Sequence, residues 1–210
     1  AHLVNKIEPD IQERIDALFE YTRTFAMESV DGEADDYCSI TARMAVKEGK
    51  SHIVSHIDKD LNCIPGWHHN FKTGTLYQNN EGKCYEWLMQ QILTGDSTDN
   101  IKGLAKVGPV TATKILDGVS HCKMLSLVLD TWKERQGSEW ENNFIKCANN
   151  IYLREYMDDL RPLSLAELKE RLEWKITDIG LLYQIDPPKP LDSSILSLAQ
   201  QEDNTLVESN

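Results

Sequence analysis

One stretch of the chain, residues 95–116, constrains its fold more than any other. It opens with Gly-Asp-Ser-Thr-Asp-Asn, which places Asp96 and Asp99 three residues apart among turn-forming residues. Two short helical stretches are predicted next, separated by a Val-Gly-Pro hinge in which Gly108 tolerates positive φ and Pro109 suits a first helical turn. An ordinary turn between two surface helices, with both aspartates as caps, is the simplest alternative.

The segment after the hinge has the features of a phosphate-binding site. Backbone N–H groups at the start of a helix attract anions, and Lys102, Lys106 and Lys114 are close in the sequence. Contacts of this kind hold the backbone of DNA without reading its bases. The stretch therefore combines an acidic pair with a helical hairpin suited to bind phosphate.

Composition limits the remaining function classes. A chain of 210 residues with 40% hydrophobic and 27% charged residues is typical of one soluble globular domain. A net charge of −12 argues against a simple DNA-binding protein, although bound divalent cations would neutralise acidic ligands beside a local basic patch. Without a long apolar run, a signal peptide or a CxxC pair among five cysteines, we expect free thiols, no membrane partner and a cytoplasmic location.

Three carboxylates, Glu33, Asp35 and Asp36, open a helix that is predicted to run to about Lys47. Acidic residues in a first turn usually interact with the helix dipole, which is the simplest explanation. Three of them within four residues exceed what capping requires, because like charges repel unless a cation lies between them. Glu33 and Asp36 share a helix face, so they can point at one ion.

Two more carboxylates, Asp58 and Asp60, follow a β-rich run at 52–57, which we predict to be a buried parallel strand. Open α/β sheets place their active sites at the carboxyl ends of strands. The adjacent His68 and His69 face opposite sides of an extended chain, so we do not predict them as metal ligands.

These three acidic motifs, in this order, resemble the flap endonuclease family of structure-specific 5′-nucleases. The family includes the 5′-nuclease domain of bacterial DNA polymerase I and the 5′-3′ exonucleases of bacteriophages. Its Glu-Ala-Asp-Asp, Asp-Lys-Asp-Leu and Gly-Asp-x-x-Asp-Asn segments correspond to residues 33–36, 58–61 and 95–100. The resemblance implies an α/β fold that is mostly helical, with a parallel-sheet core and a helix–three-turn–helix (helix-hairpin-helix) at about 95–118.

The resemblance also implies a metal-dependent nuclease. Two divalent ions about 3.5–4 Å apart activate water and neutralise the scissile phosphate, and clustered carboxylates hold Mg²⁺ or Mn²⁺. The expected metal ligands are Glu33, Asp35, Asp36, Asp58, Asp60, Asp96 and Asp99. The last four of these are also the expected catalytic residues.

The same resemblance implies that the hairpin grips duplex DNA with a 5′ end or a 5′ flap, in replication or repair, and holds K⁺ with loop carbonyls. The expected DNA contacts are Lys102, Gly103, Lys106, Val107, Gly108, Thr111 and Lys114. Val110 departs from the pattern, since many relatives carry Lys there.

The family's first strand, with its catalytic Asp, and its helical arch have no counterpart before Glu33. We therefore expect residues 1–190 to form the C-terminal two-thirds of a nuclease domain, followed by a polar tail at 191–210. The leading hypothesis is a phage-type 5′-3′ exonuclease or flap endonuclease. The alternative is a catalytically incomplete DNA-binding fragment that needs the N-terminal segment in trans, while a globular protein with chance acidic clusters is disfavoured by three ordered motifs.

Hydrophobic periodicity predicts the other elements. They are helices at 8–29, 85–94, 122–134, 142–160 and 165–172, a β-hairpin or irregular excursion within 67–85, and an ambiguous element at 176–185. Ser164 and Glu167 have the spacing of a capping box that opens the last of these helices.

Overall fold

The computed structural model describes residues 9–24, 26, 29 and 32–173. The chain order is α1 (Pro9–Thr22), α2 (Ala34–Lys47), β1 (Ile53–Ser55), β2 (Gly66–Asn70), β3 (Thr75–Asn79), α3 (Glu81–Thr94), β4 (Gly95–Asp96), β5 (Ile101–Lys102), α4 (Pro109–Leu116), α5 (His121–Gln136), α6 (Trp140–Ile151) and α7 (Leu165–Leu172). The fold is α/β and mostly helical, as predicted. The element predicted at 176–185 and the tail at 191–210 lie outside the described residues.

The sheet is small and mixed, in the order β1-β2-β3. Strand β1 pairs parallel with β2, and β2 pairs antiparallel with β3, so the predicted parallel pairing and the predicted hairpin are both confirmed. The prediction that the first strand is buried was wrong, because Ile53 is 46% exposed. Strand β1 lies at the edge of this three-stranded sheet, and the main core lies among the helices instead.

Helix α3 lies at the centre of the hydrophobic core. Its residues Met89, Ile92 and Leu93 are fully buried at spacings of three and one, and they pack with side chains of α4, α5, α6 and α7. Burial of each such side chain contributes about 1.5–3 kcal/mol relative to exposure. The rings of Trp132 and Phe144 meet edge to face, 5.9 Å apart, which adds directional packing between α5 and α6. None of the described helices is long and apolar enough to cross a bilayer.

Helix α1 ends earlier than predicted, at Thr22 rather than at residue 29. Both the amide and the hydroxyl of Thr24 donate to the carbonyl of Tyr21, which closes the last turn. The apolar stripe predicted along this helix is not covered at Ile11 and Leu18, whose side chains are exposed.

Helix α6 also ends earlier than predicted, at Ile151 rather than at residue 160. The amide of Arg154 donates to the carboxylate of Asp36 (2.8 Å), and its guanidinium donates to the backbone and side chain of Asn149. These contacts turn the chain back toward α2. A pairing between residues more than a hundred positions apart is invisible to local periodicity.

Only one of the two short helices predicted between residues 101 and 116 is present. The amide of Leu104 donates to the carbonyl of Leu93 (2.9 Å), and the amide of Val107 donates to the carbonyl of Leu104 (3.1 Å). The first half of the segment therefore consists of strand β5 and a single turn, which are held against the end of α3. Helices α3 and α4 flank this turn, and they pack against each other.

The hinge that starts α4 has a different backbone from the one expected. Pro109 does occupy the first turn, but Gly108 has an ordinary φ of −95°. The left-handed residue is Lys106, with φ of 61°. Gly108 is therefore not needed for positive φ, and its missing side chain leaves the backbone at the start of α4 open.

The end of α3 and the start of the segment after β5 approach each other at two glycines. A Cβ on Gly103 would lie 2.2 Å from the carbonyl carbon of Thr94 and 2.3 Å from the amide nitrogen of Gly95. Gly95 itself has φ of 68°, and a Cβ there would lie 2.2 Å from the amide nitrogen of Gly103. Only glycine fits at either position, because backbone atoms occupy the space on both sides.

We expect Gly103→Ala to lower the free energy of unfolding by at least about 2 kcal/mol, because backbone cannot move aside as a side chain can. Gly108→Ala is the matched control, since its Cβ would meet nothing within 4 Å and its φ is negative. Urea unfolding of the two variants checks this. Equal stability of both variants would contradict the close approach.

Candidate metal centre and nucleic-acid interface

The three acidic motifs meet around one cavity of about 370 Å³. Each motif comes from a different element: the start of α2, the turn after β1 and the loop between β4 and β5. The carboxylates that line the cavity are Glu33, Asp35, Asp58, Asp60 and Asp99. The structure therefore brings together five of the seven predicted metal ligands at one surface.

Asp96, the sixth predicted ligand, lies beside the cavity. Asp60, Asp96 and Asp99 each offer one carboxylate oxygen, and these three oxygens lie within 4.8 Å of one another. Asp96 is buried, with 5% of its surface exposed, whereas Asp99 is exposed. Three convergent oxygen ligands are the donor set that a hard divalent cation prefers.

The seventh predicted ligand, Asp36, points elsewhere. Its carboxylate accepts the hydrogen bond from the amide of Arg154, and it lines a separate cavity next to α6. Its observed contact is structural, because it ties the start of α2 to the segment that follows α6.

Electrostatic repulsion concentrates on Asp35. Burial raises the pKa of this carboxyl above its usual range, and the nearby charges of Asp58, Glu33 and Asp60 raise it further. A divalent cation bound in the cavity would offset the negative charge that surrounds Asp35.

Asp96 has the opposite environment. The ammonium of Lys59 makes a short ion pair with its Oδ2, and the amide of Thr98 donates to its Oδ1 (2.8 Å). The bond from Lys59 is the main reason that the pKa of Asp96 is lowered. Lys59 also lies 3.5 Å from Oδ1 of Asp60, so one ammonium is shared by two carboxylates of the cluster.

The turn that carries Asp58 and Asp60 is held by hydrogen bonds rather than by strand periodicity. The amide of Asp60 donates to Oδ1 of Asp58 (2.9 Å), and a 3-10 turn (Asp60–Cys63) follows. Gln91 on α3 donates its side-chain amide to Oδ1 of Asp60 (2.5 Å) and accepts from the thiol of Cys63 (3.4 Å). Gln91 thereby fixes Asp60 from the core side.

A buried imidazole pair supports the same turn from behind. Nδ1 of His56 donates to the carbonyl of Asp58 (2.5 Å), and its Nε2 lies 2.8 Å from Nδ1 of His68. Burial lowers the pKa of His68 to about 4, and its ring stacks on Tyr77. The local sequence gives no signal for this pairing, because the two histidines belong to different strand regions.

The predicted DNA-contact residues divide into an exposed and a buried group. Lys102, Lys106 and Lys114 are exposed, and Thr111 is half-buried. Val107 is buried in the core with 5% exposure, and its amide is used within the turn. The side chain of Val107 therefore anchors the turn to α3, and the predicted contact of DNA with the backbone at this residue stays a prediction.

The start of α4 has the geometry of a phosphate contact. Gly108 supplies no side-chain cap, so the first amides of the helix depend on solvent or a ligand. A Cβ at Gly108 would meet nothing within 4 Å, so a ligand can approach the backbone there. Val110, beside it, is 71% exposed.

A wider depression adjoins the acidic cavity. Its volume is about 1090 Å³, and it lies between the β4–β5 hairpin and helices α5 and α6. Asp99 and Asn150 line both spaces, and Lys102 and Lys146 line the depression. Lys146 and Asn150 were missed from the sequence, where α6 reads only as an amphipathic core helix.

Among the comparisons with known proteins, the search of solved structures found similar chains. A scan against models of known protein families gave no match, and a search of curated proteins gave none either. Among solved structures, the chain is similar to the T5 D15 protein, crystallised with metal ions, at 15% identity and a TM-score of 0.56. The match covers 87% of this chain and 76% of that one.

At this identity the likeness shows the fold alone. The chain shares the fold of the T5 D15 protein.

We expect Asp35→Asn to raise the melting temperature in chelator at pH 7.5. The raised pKa means that the folded state binds a proton at Asp35 more readily than the unfolded state, so stability falls as pH rises through that pKa. The neutral amide removes this loss, and the advantage of the variant shrinks toward pH 4. Calorimetry at both pH values checks this.

The matched control is Asp130→Asn, which removes an exposed carboxylate on α5 that forms an ion pair with Lys133. We expect it to change stability by less than about 0.5 kcal/mol at either pH. A melting temperature for Asp35→Asn below that of the wild type at pH 7.5 would show that repulsion among the carboxylates does not lower the stability of the folded state.

Proposed function

We propose that this protein is a metal-dependent 5′-3′ exonuclease or flap endonuclease that hydrolyses DNA phosphodiester bonds with two divalent ions. The main observation behind this proposal is that carboxylates from three separate segments converge on one cavity. The exposed lysines Lys102, Lys106 and Lys114 follow the last of these segments in the chain. The fold shared with the T5 D15 protein, which was crystallised with metal ions, also supports a metal-dependent activity. The proposed cofactor is Mg²⁺ or Mn²⁺, with K⁺ at the hairpin, and the proposed setting is DNA replication or repair in a phage-infected cell.

The residues present fit a divalent cation. Carboxylate oxygens of Asp60, Asp96 and Asp99 converge, and a lysine ammonium already takes the place of a cation between two of them. Glu33 and Asp35, with Asp58, line the remainder of the cavity and would hold a second ion. Divalent ions bound there would lower the pKa of a bound water and neutralise charge on the scissile phosphate.

The chain's own residues orient this machinery. Gln91 and the Asp58–Asp60 turn fix the direction of the Asp60 carboxylate, so the ligand needs little reorganisation when it binds. Ile101, Ile151 and Leu153 form the apolar part of the cavity wall beside these carboxylates.

Residues 101–116, which include three exposed lysines and the start of α4, would hold the substrate next to this cavity. Lys102, Lys106 and Lys114 present their charges on the same segment that carries Asp99, and the start of α4 offers backbone amides. Duplex DNA with a 5′ end or flap is the proposed substrate, because these contacts recognise phosphates and shape rather than sequence. The second candidate is a DNA-binding fragment that needs further carboxylates in trans, favoured by the orientation of Asp36 away from the cavity.

We expect Asp99→Asn to lower the cleavage rate of a labelled 5′-flap duplex in Mg²⁺ by about 10³-fold or more, since metal binding contributes several kcal/mol to the transition state. Asp99 is exposed, so the change leaves the fold intact. Asp96→Ala would be a poorer test, because it also removes a turn cap and the partner of Lys59.

Asp130→Asn should cleave at the wild-type rate, and chelator should stop cleavage by every variant. Cleavage by Asp99→Asn at the wild-type rate would refute the proposed metal centre. Binding of the flap duplex without cleavage by the wild-type chain would favour the second candidate.

We expect Lys106→Ala and Lys114→Ala each to reduce the slope of log affinity against log salt by about one, because each removes one phosphate contact. Fluorescence anisotropy with a flap duplex in Ca²⁺ gives the slope. Lys72→Ala, in the turn between β2 and β3, is the matched control and should leave it unchanged. Equal slopes for all variants would place the DNA elsewhere.

A further inference from the structure

The lysine within the acidic cluster has a position that the proposed chemistry does not explain. Lys59 follows Asp58 and precedes Asp60, yet its ammonium reaches across to Asp96, 37 positions away in the chain. It contacts Oδ2 of Asp96 and lies 3.5 Å from Oδ1 of Asp60. Two of the three convergent oxygen ligands therefore already share a cation that belongs to the protein.

Both carboxylate oxygens of Asp96 already accept a contact from the protein. Oδ1 accepts the hydrogen bond from the amide of Thr98 (2.8 Å), and that bond closes the turn between β4 and β5. Oδ2 accepts from the ammonium of Lys59. A divalent ion bound at Oδ2 would lie close to this ammonium, and the repulsion between the two positive charges favours release of Lys59 when the ion binds.

The two partners differ in their freedom to move. Asp96 is buried and fixed by the turn, with 5% of its side chain exposed, whereas the side chain of Lys59 is 48% exposed. A long, half-exposed lysine can swing its ammonium into solvent at small cost in packing. The buried carboxylate stays in place, and its charge needs a partner at all times.

We propose that Lys59 is an exchangeable internal counter-ion: its ammonium neutralises Asp96 and Asp60 in the metal-free protein and leaves them when a divalent cation binds. This inference rests on the proposed metal centre and adds a regulatory element to it. Lys59 stabilises the metal-free fold and competes with the metal for the same oxygens. By linkage, removing the charge of Lys59 lowers the stability of the metal-free fold and raises the affinity for the metal.

The decisive experiment measures stability and metal affinity in the same set of DNA-free variants. Lys59→Met keeps the aliphatic stem and removes the charge, Lys59→Arg keeps the charge, and Lys102→Met removes a charge from an exposed lysine of the β4–β5 hairpin. Thermal unfolding in chelator reports the metal-free state. Binding of Mn²⁺, followed by the electron paramagnetic resonance signal of the free ion, reports affinity.

For Lys59→Met we expect opposite movements: a lower melting temperature in chelator and an affinity for Mn²⁺ that is higher by about fivefold or more. Lys59→Arg should remain close to wild type in both measurements. Lys102→Met should leave the melting temperature unchanged and alter affinity by less than about threefold, because exposed charges without a direct contact are screened.

Unchanged or weaker Mn²⁺ binding by Lys59→Met, with wild-type protein that binds the ion, would overturn the exchange and leave the metal centre intact. A similar gain in affinity for Lys102→Met would also overturn it, because the effect would then be general charge rather than a specific ion pair. Absence of Mn²⁺ binding by both wild type and Lys59→Met would overturn the metal centre itself.

Discussion

The approach of two backbones at Gly95 and Gly103 determines where the functional groups lie. Because neither residue has a Cβ, the segment after β5 can lie directly against the end of α3. The amide of Leu104 then reaches the carbonyl of Leu93, and the intervening residues close as a tight hairpin. Asp96 is placed at the foot of this hairpin beside the turn that follows β1. The acidic cluster is thus a consequence of how closely two stretches of main chain can pack.

The cluster is electrostatically uneven. Asp35 lies among like charges that raise its pKa, whereas Asp96 has a lysine that lowers its pKa. Negative charges therefore repel one another around Asp35 and are neutralised at Asp96. Such an uneven distribution of charge is usual in a metal site before its ion binds. Lys59 neutralises part of this negative charge and so stabilises the fold without a bound ion.

Local signals in the sequence predict some elements well and others poorly. The capping box of Ser164 and Glu167 predicts the start of α7 correctly, because the interaction spans three residues. The end of α6 was missed because it depends on Arg154 meeting Asp36, far away in the chain. Periodicity has no access to contacts of that range, and tertiary packing overrides it.

The candidate site follows the same rule. The sequence identifies the acidic motifs, and the structure brings most of them to one cavity, but it gives no sign of the residues that orient them. Gln91 appears in the sequence as one more member of a helical stripe, and only the fold shows that it holds Asp60. Likewise, Val107 reads as part of a DNA-binding loop, whereas its side chain belongs to the core.

The cavity joins segments that are distant in the chain, from Glu33 at the start of α2 to Asp99 in the β4–β5 loop. An ion held by both would act as a non-covalent cross-link around a loop of more than sixty residues. Such a link removes conformational freedom from partly opened forms, much as a disulfide does. The free concentration of such an ion would then set how often this region opens to proteases.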